Sequence, residues 1–240
     1  MRSLDVEQMC KVYGASAELT ENLMGLAKET KARGWWLSYG DVINEGFDVY
    51  IGLEEAASEL CWYESELVPG LLQTADYART LIATDNSGVD DAEIDRRVQL
   101  RIARQSLLTR TTAAPKLNVV LNEAILRRPV GGRAVMADQL DRLVEVSELP
   151  NVSLKVMPFE SGLHYGIMSR PFVRLDFPAY GSGQHDEPPT VYVDSFTGAL
   201  FLDKPHEIER YSGAFENMWN TSLDEAASKK LITNAARNLK

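Results

Sequence analysis

The sequence predicts an α+β fold: a mixed, mostly antiparallel sheet flanked by helices, with a helical extension at the N-terminus. Three observations carry this. Apolar residues recur at helical spacing at both ends of the 240-residue chain. Strand-like and helix-like segments alternate through its middle, and short, strictly alternating runs follow in the C-terminal third. That order fits helices packed on a mixed sheet better than a doubly wound fold.

Taken in order, Ser3 caps a short helix through Val12 that Gly14 ends, and Ser16 caps a second with Leu19, Leu23, Leu26 and Ala27 on one face. Gly34-Trp35-Trp36 stops it, its two large rings serving as an anchor. Phe47 to Ser58 reads as helix and Glu59 to Tyr63 as a short strand. Pro69-Gly70 then turns the chain, because Pro presets φ and Gly accepts positive φ without steric cost. Thr74 caps the next helix, which runs to about Ala83 with Tyr77, Leu81 and Ile82 as its apolar face.

Asp90 or Asp91 caps the longest helix, to about Thr109. Leu117 to Leu121 is a buried strand, and a short helical stretch from Asn122 to Arg128 runs up to Gly131-Gly132. Ala134 to Leu149 forms a helix that stops before Pro150. Val152 to Val156, Phe172 to Phe177 and Thr190 to Asp194 alternate as strands, with a polar loop from Pro178 to Pro189 between the last two. Leu200-Phe201-Leu202 adds a short strand, and helices from Pro205 to about Trp219 and Asp224 to about Asn238 close the chain.

The composition, 45% hydrophobic and 25% charged, is that of a globular protein. Cys10 and Cys61, the two cysteines, lie among apolar neighbours and read as reduced, buried thiols. No apolar run reaches membrane-spanning length and no signal-peptide pattern opens the sequence, so no membrane association and a cytoplasmic location are expected. The net charge of −10 opposes binding to nucleic acid. Arg96-Arg97, Arg101, Arg104 and Arg110 are the main basic cluster, and acids preceding bases along one helix is what its dipole favours.

Glu123 with Arg127 and Arg128 follows the 117–121 strand, where strand ends present ligand-facing residues. Arginine offers a planar fork for carboxylate or phosphate, but Glu123 and Arg127 at i,i+4 equally make a plain helical ion pair. His164, in the loop that continues into Tyr165, titrates near neutrality and equally fits an ordinary loop histidine. Trp62, Tyr63, Gln73 and Tyr77 combine apolar bodies with polar tips, as a small-molecule site does and as core aromatics also do.

His164, His185 and His206 share no metal-ligand spacing, so neither metal nor cofactor is expected. Ser161 lacks a nucleophile elbow, and Gly181-Ser182-Gly183 lacks the strand-to-helix context of a phosphate cradle. No catalytic residue is assigned. For an enzyme, His164 and Glu123 would be the first acid and base to test.

Several segments share one pattern: Gly52-Leu53-Glu54-Glu55-Ala56-Ala57, Pro69-Gly70-Leu71-Leu72-Gln73-Thr74 with Tyr77-Ala78, and Arg104-Gln105 with Leu108. Asn122-Glu123-Ala124 with Leu126-Arg127-Arg128 and Val130-Gly131-Gly132, then Met136, Gln139-Leu140 and Leu143, continue it. Val156-Met157-Pro158-Phe159 and Val191-Tyr192-Val193-Asp194 complete it. In this order they resemble the C-terminal effector domain of actinobacterial Xre-type helix-turn-helix regulators, an antitoxin-like family, which usually has Glu where Asp194 stands.

The resemblance implies that residues 37–240 form an effector or sensor domain that binds a small acidic partner protein or a small-molecule ligand. Tyr63, Gln73, Tyr77, Glu123, Arg127, Arg128, His164, Tyr192 and Asp194 are its candidate contacts. Residues 1–36 would be the last helix of a helix-turn-helix domain plus a linker helix. DNA would then be reached only through the missing N-terminal part, and homodimerisation would suit palindromic sites. The alternative is an enzyme or accessory protein of specialised metabolism, derived from the same domain after loss of its DNA reader.

Overall fold

The computed structural model describes residues 10–13, 20, 34–44, 46–86, 88–178 and 187–240. The chain divides into two units, Met1–Ile43 and Asn44–Lys240, a few residues beyond the boundary expected at 36. In the first unit, Trp35–Tyr39 is a 3-10 turn, with Trp35 edge-on to Trp36 and Tyr39 at centroid distances of 6.0 and 6.1 Å. The expected helices before it lie outside the described residues except at 10–13 and 20, which are helical. Most of the loop 178–189, including His185 and Gly181-Ser182-Gly183, also lies outside them.

The second unit is a mixed α+β domain, as the alternation predicts. Its strands are β1 (Glu59–Glu64), β2 (Lys116–Asn122), β3 (Val152–Met157), β4 (Phe172–Asp176), β5 (Thr190–Ser195) and β6 (Gly198–Leu202). They form one sheet in the order β3-β2-β1-β4-β5-β6, parallel from β1 through β3 and antiparallel from β1 through β4, β5 and β6. The helices are α1 (Phe47–Ala56), α2 (Ala75–Asp85), α3 (Asp91–Arg104), α4 (Glu123–Arg127), α5 (Gly132–Val146), α6 (Tyr165–Ser169), α7 (Pro205–Thr221) and α8 (Glu225–Leu239). A parallel pair needs a long crossover, and α2 with α3, then α4 with α5, supply the two.

Caps fall where the sequence placed them. Thr74 Oγ1 accepts from Tyr77 N–H (3.3 Å) and Asp90 Oδ1 from Glu93 N–H (2.8 Å). The helix expected to reach Thr109 ends at Arg104 and tightens into a 3-10 turn over Gln105–Leu108. The segment around His164, read as loop, contains α6, and His164 Nδ1 caps it by accepting from Gly166 N–H (3.1 Å).

Alternation divides the sheet into two faces. Leu60, Trp62, Leu117, Val119, Leu121, Leu154, Val156, Val173, Leu175 and Tyr192 form the first face and the larger core, with residues of α1, α2, α5 and α8 in the same cluster. Cys61, Tyr63, Val120, Met157, Phe172 and Val191 belong to the second face, packed with Phe215 and Met218 of α7. Trp62 and Tyr63 therefore point in opposite directions. The expected shared pocket of Trp62, Tyr63, Gln73 and Tyr77 does not form, because consecutive strand residues cannot face the same side.

Candidate functional site

The first face carries a row running across four strands: Trp62 opposite Val173, Val173 opposite Tyr192, and Tyr192 opposite Phe201. Two residues further along β1 and β5, on the same face, stand Glu64 and Asp194. Helix α3 brings Arg101 and Arg104, one turn apart on a single helical face. Arg104 is buried and binds Glu54 of α1 fork to fork, at 2.9 Å (Nε to Oε2) and 2.7 Å (Nη2 to Oε1). Its guanidinium also lies over the Phe47 and Tyr50 rings at 5.0 and 5.5 Å.

Arg101 is held differently. Its Nη1 donates to Gln73 Oε1 at 3.3 Å, and among the described residues no carboxylate forms an ion pair with it. Burial and the neighbouring Arg104 charge lower its pKa to about 10, opposed by the fields of Glu54 and Asp194. The Pro69–Thr74 segment explains this placement. A Cβ on Gly70 would stand 3.1 Å from Arg101 Nη1, so the turn and the guanidinium are closely packed here. The φ of Gly70 is not positive, which corrects the expectation from the Pro-Gly pair: Pro69 precedes a 3-10 turn over Gly70–Leu72.

Three glutamines fix that segment. Gln73 Nε2 donates to Val68 carbonyl (2.7 Å), and Gln105 Nε2 donates to Gln73 carbonyl (2.7 Å). Gln139, on α5, donates to Leu72 carbonyl (2.8 Å) and accepts from Thr74 N–H (2.7 Å). Val68 N–H donates to the Tyr77 hydroxyl at 3.1 Å. Tyr77 is fully buried in this role, so it braces the site and does not line it.

The acids at this end of β1 and β5 have raised pKa values. Burial, reinforced by the Asp194 and Glu66 charges, raises Glu64 to about 7 against the hydrogen bond from Trp62 Nε1 (3.2 Å). Burial likewise raises Asp194 and, with the adjacent Asp194, raises Tyr192. Tyr50, 2% exposed and tilted onto Tyr192 at 4.2 Å, has a hydroxyl with no hydrogen-bond partner among the described residues, although Glu54 lies close by. An aromatic floor, a guanidinium with one neutral partner and two carboxyls whose pKa values are raised together suit a polar ligand of mixed charge.

The remaining candidates lie elsewhere and are occupied. Glu123 Oε1 accepts from Arg127 Nη2 (2.6 Å) and its Oε2 from Phe159 N–H (3.1 Å), tying α4 to the turn after β3. Arg128 pairs with Glu66 at 2.5 Å, and both arginines are half exposed. Tyr63 is buried on the second face, where a Cβ on Gly166 would come within 2.3 Å of its ring. Burial lowers the His164 pKa, and because its Nδ1 accepts from Gly166 N–H, the neutral ring carries its proton on Nε2. That nitrogen faces Asn122 Nδ2, another donor, at 3.5 Å, while Asn122 Oδ1 accepts from Ala124 N–H. The pair first suspected of acid–base chemistry is committed to capping and clamping.

Of the sequence candidates, the structure brings together Gln73, Tyr192 and Asp194. It adds Glu64, Arg101, Arg104, Glu54 and Tyr50, which sequence reasoning missed. The spacing of Arg101, Arg104 and Gln105 on one helix face was the available signal.

Among the described residues no group of His, Cys, Asp and Glu is arranged to hold a metal ion, and no helix is long and apolar enough to cross a membrane. A depression of about 160 Å³ between α5 and α8, lined by Glu148, Leu154, Lys229 and Ile232 among others, lies apart from Arg101.

Fold and cluster define a mixed-sheet α+β domain with a polar cluster beside a row of aromatic side chains. The chain belongs to the family described as a domain of unknown function, DUF5753, which matches residues 47–234, from the first residue of α1 into α8. No curated protein and no solved structure matches it.

Proposed function

We propose that this chain is the effector or sensor part of a helix-turn-helix transcriptional regulator and that it binds its effector at Arg101. Arg101 carries the reading: a cation held by a neutral amide is free to accept an anionic group without first breaking an ion pair. Glu64 and Asp194 would receive donors from the same ligand, and Tyr192 and Phe201 would support its apolar part. Motifs that resemble those of regulator effector domains converge here, from Gly70 and Gln73 through Gln105 to Tyr192 and Asp194. Binding is favoured over turnover because His164 and Glu123 are already engaged.

A small ligand fits better than a small acidic protein, which would meet a chain of net charge −10. The test is a reporter in which this chain is fused behind a helix-turn-helix reader of known operator. Output that responds to extracts of the source cell in the parent and in Arg127→Met, and not in Arg101→Met, is the expected result. An Arg101→Met fusion that responds like the parent overturns the assignment.

A further inference from the structure

The two edges of the sheet are finished differently. On β3 both outward backbone groups of Val156 are taken: its N–H donates to Ser228 Oγ (2.9 Å), and its carbonyl accepts from Leu223 N–H (3.0 Å). On β6 the strand stays open, with Leu200 59% and Phe201 38% exposed. Its sequence, Gly-Ala-Leu-Phe-Leu, contains no charge and no proline, the usual protections of a free edge.

The β5–β6 hairpin closes on the two-residue turn Phe196-Thr197, so Ser195–Gly198, Val193–Leu200 and Val191–Leu202 are the hydrogen-bonded pairs. The N–H and C=O of Ala199 and Phe201 therefore point away from the sheet. Among the described residues no hydrogen bond reaches them.

We propose that a second copy of this chain pairs with β6, antiparallel, about a two-fold axis through Leu200, so that one sheet runs through both molecules. The edge is complementary to itself. Ala199 and Phe201 lie on either side of Leu200, and the two-fold sets Ala199 of each copy against Phe201 of the other, exchanging N–H···O=C bonds in both directions. On the first face a small side chain then meets a large one. On the second face Leu200 meets Leu200 and extends the apolar cluster that includes Val193, Leu202 and Ile208. No like charges are opposed: Asp203 falls opposite Thr197, and Lys204 opposite the exposed ring of Phe196, a pairing of cation and aromatic face. An isologous contact of this kind closes as a dimer.

Sedimentation of the full chain tests this together with a register-specific cross-link. The parent is expected to sediment as a dimer. Leu200→Lys, which sets two ammonium groups against each other at an exposed position, and Ala199→Pro, which deletes an outward N–H, are expected to be folded monomers by circular dichroism. Under mild oxidation Leu200→Cys is expected to form a 200–200 disulfide, because only self-pairing brings that residue beside itself, and Phe196→Cys is not. A monomeric parent, a dimer unaffected by both edge variants, or preferential cross-linking at 196 overturns the proposal. None of these outcomes depends on the assignment of Arg101.

Discussion

Glu54 and Arg104 face each other as two parallel forks, bonded at 2.7 and 2.9 Å and almost completely buried, 2% and 4% exposed. The pair joins α1 to α3, fifty residues apart in sequence, and sets the helical face from which Arg101 emerges one turn earlier. Bidentate geometry of this kind is specific to arginine. Removing one partner leaves the other charged and unsolvated. Arg104→Met is therefore expected to lower stability by about 3–5 kcal/mol, read as a lower urea midpoint with unchanged slope. The double variant Glu54→Leu/Arg104→Met should recover most of the loss. Equal losses in single and double variants would show that the pair is not the source.

Arg101→Met should behave in the opposite sense. Its guanidinium is partly desolvated without an ion pair among the described residues, so an apolar side chain of similar length relieves a penalty. The urea midpoint is expected to stay level or rise. A drop resembling that of Arg104→Met would make Arg101 a structural cation and remove the reason to place a ligand there.

Glu64 gives the domain a pH dependence of definite sign. Its native pKa, about 7, lies above the ordinary 4.5, so the native state binds this proton more tightly than the unfolded chain does. Stability therefore falls as pH rises through that window and is flat above it. Glu64→Gln should remove the part of the slope near neutral pH, leaving only the contribution of Asp194 at lower pH. The variant is expected to exceed the parent by roughly 1–3 kcal/mol above neutral pH and to match it in acid, after allowing for partial solvent screening. Parallel stability–pH curves would place the proton elsewhere.

Much of the fold was legible because the signals for strands and caps are local. Thr74, Asp90 and Asp224 cap helices where a short polar side chain precedes an apolar period, and Val152 to Val156 alternates as a one-sided strand must. What stayed hidden is tertiary. Gly70 looked like a turn residue, and its close neighbour Arg101, thirty-one positions later, is visible only once α3 packs on the Gly70–Leu72 turn. Arg101 and Arg104 looked alike within a basic helix, yet one meets a carboxylate and the other an amide. Trp62 and Tyr63 are adjacent in sequence but lie on opposite faces of β1. Glu64 has no sequence signal, since its shift arises from burial and from Asp194 and Glu66.

Glu123→Ala separates clamp from site. It frees Phe159 N–H and releases Arg127, so amide exchange at 159–161 should accelerate and stability should fall by about 1–3 kcal/mol. The effector response of the reporter fusion should persist. Loss of that response with exchange rates unchanged would return Glu123 to the list of ligand contacts.

The central place of β1 also governs how the chain is made. Its parallel partner β2 leaves the ribosome next, but its antiparallel partner arrives much later: Cys61 and Arg174, which touch across β1 and β4, are 113 residues apart. Contacts of such long range form slowly, and a strand awaiting its neighbour exposes unpaired backbone meanwhile. In chain order β1, β2 and β3 all precede the 172–176 segment, so the antiparallel side of β1 is the last of its two sides that can be paired.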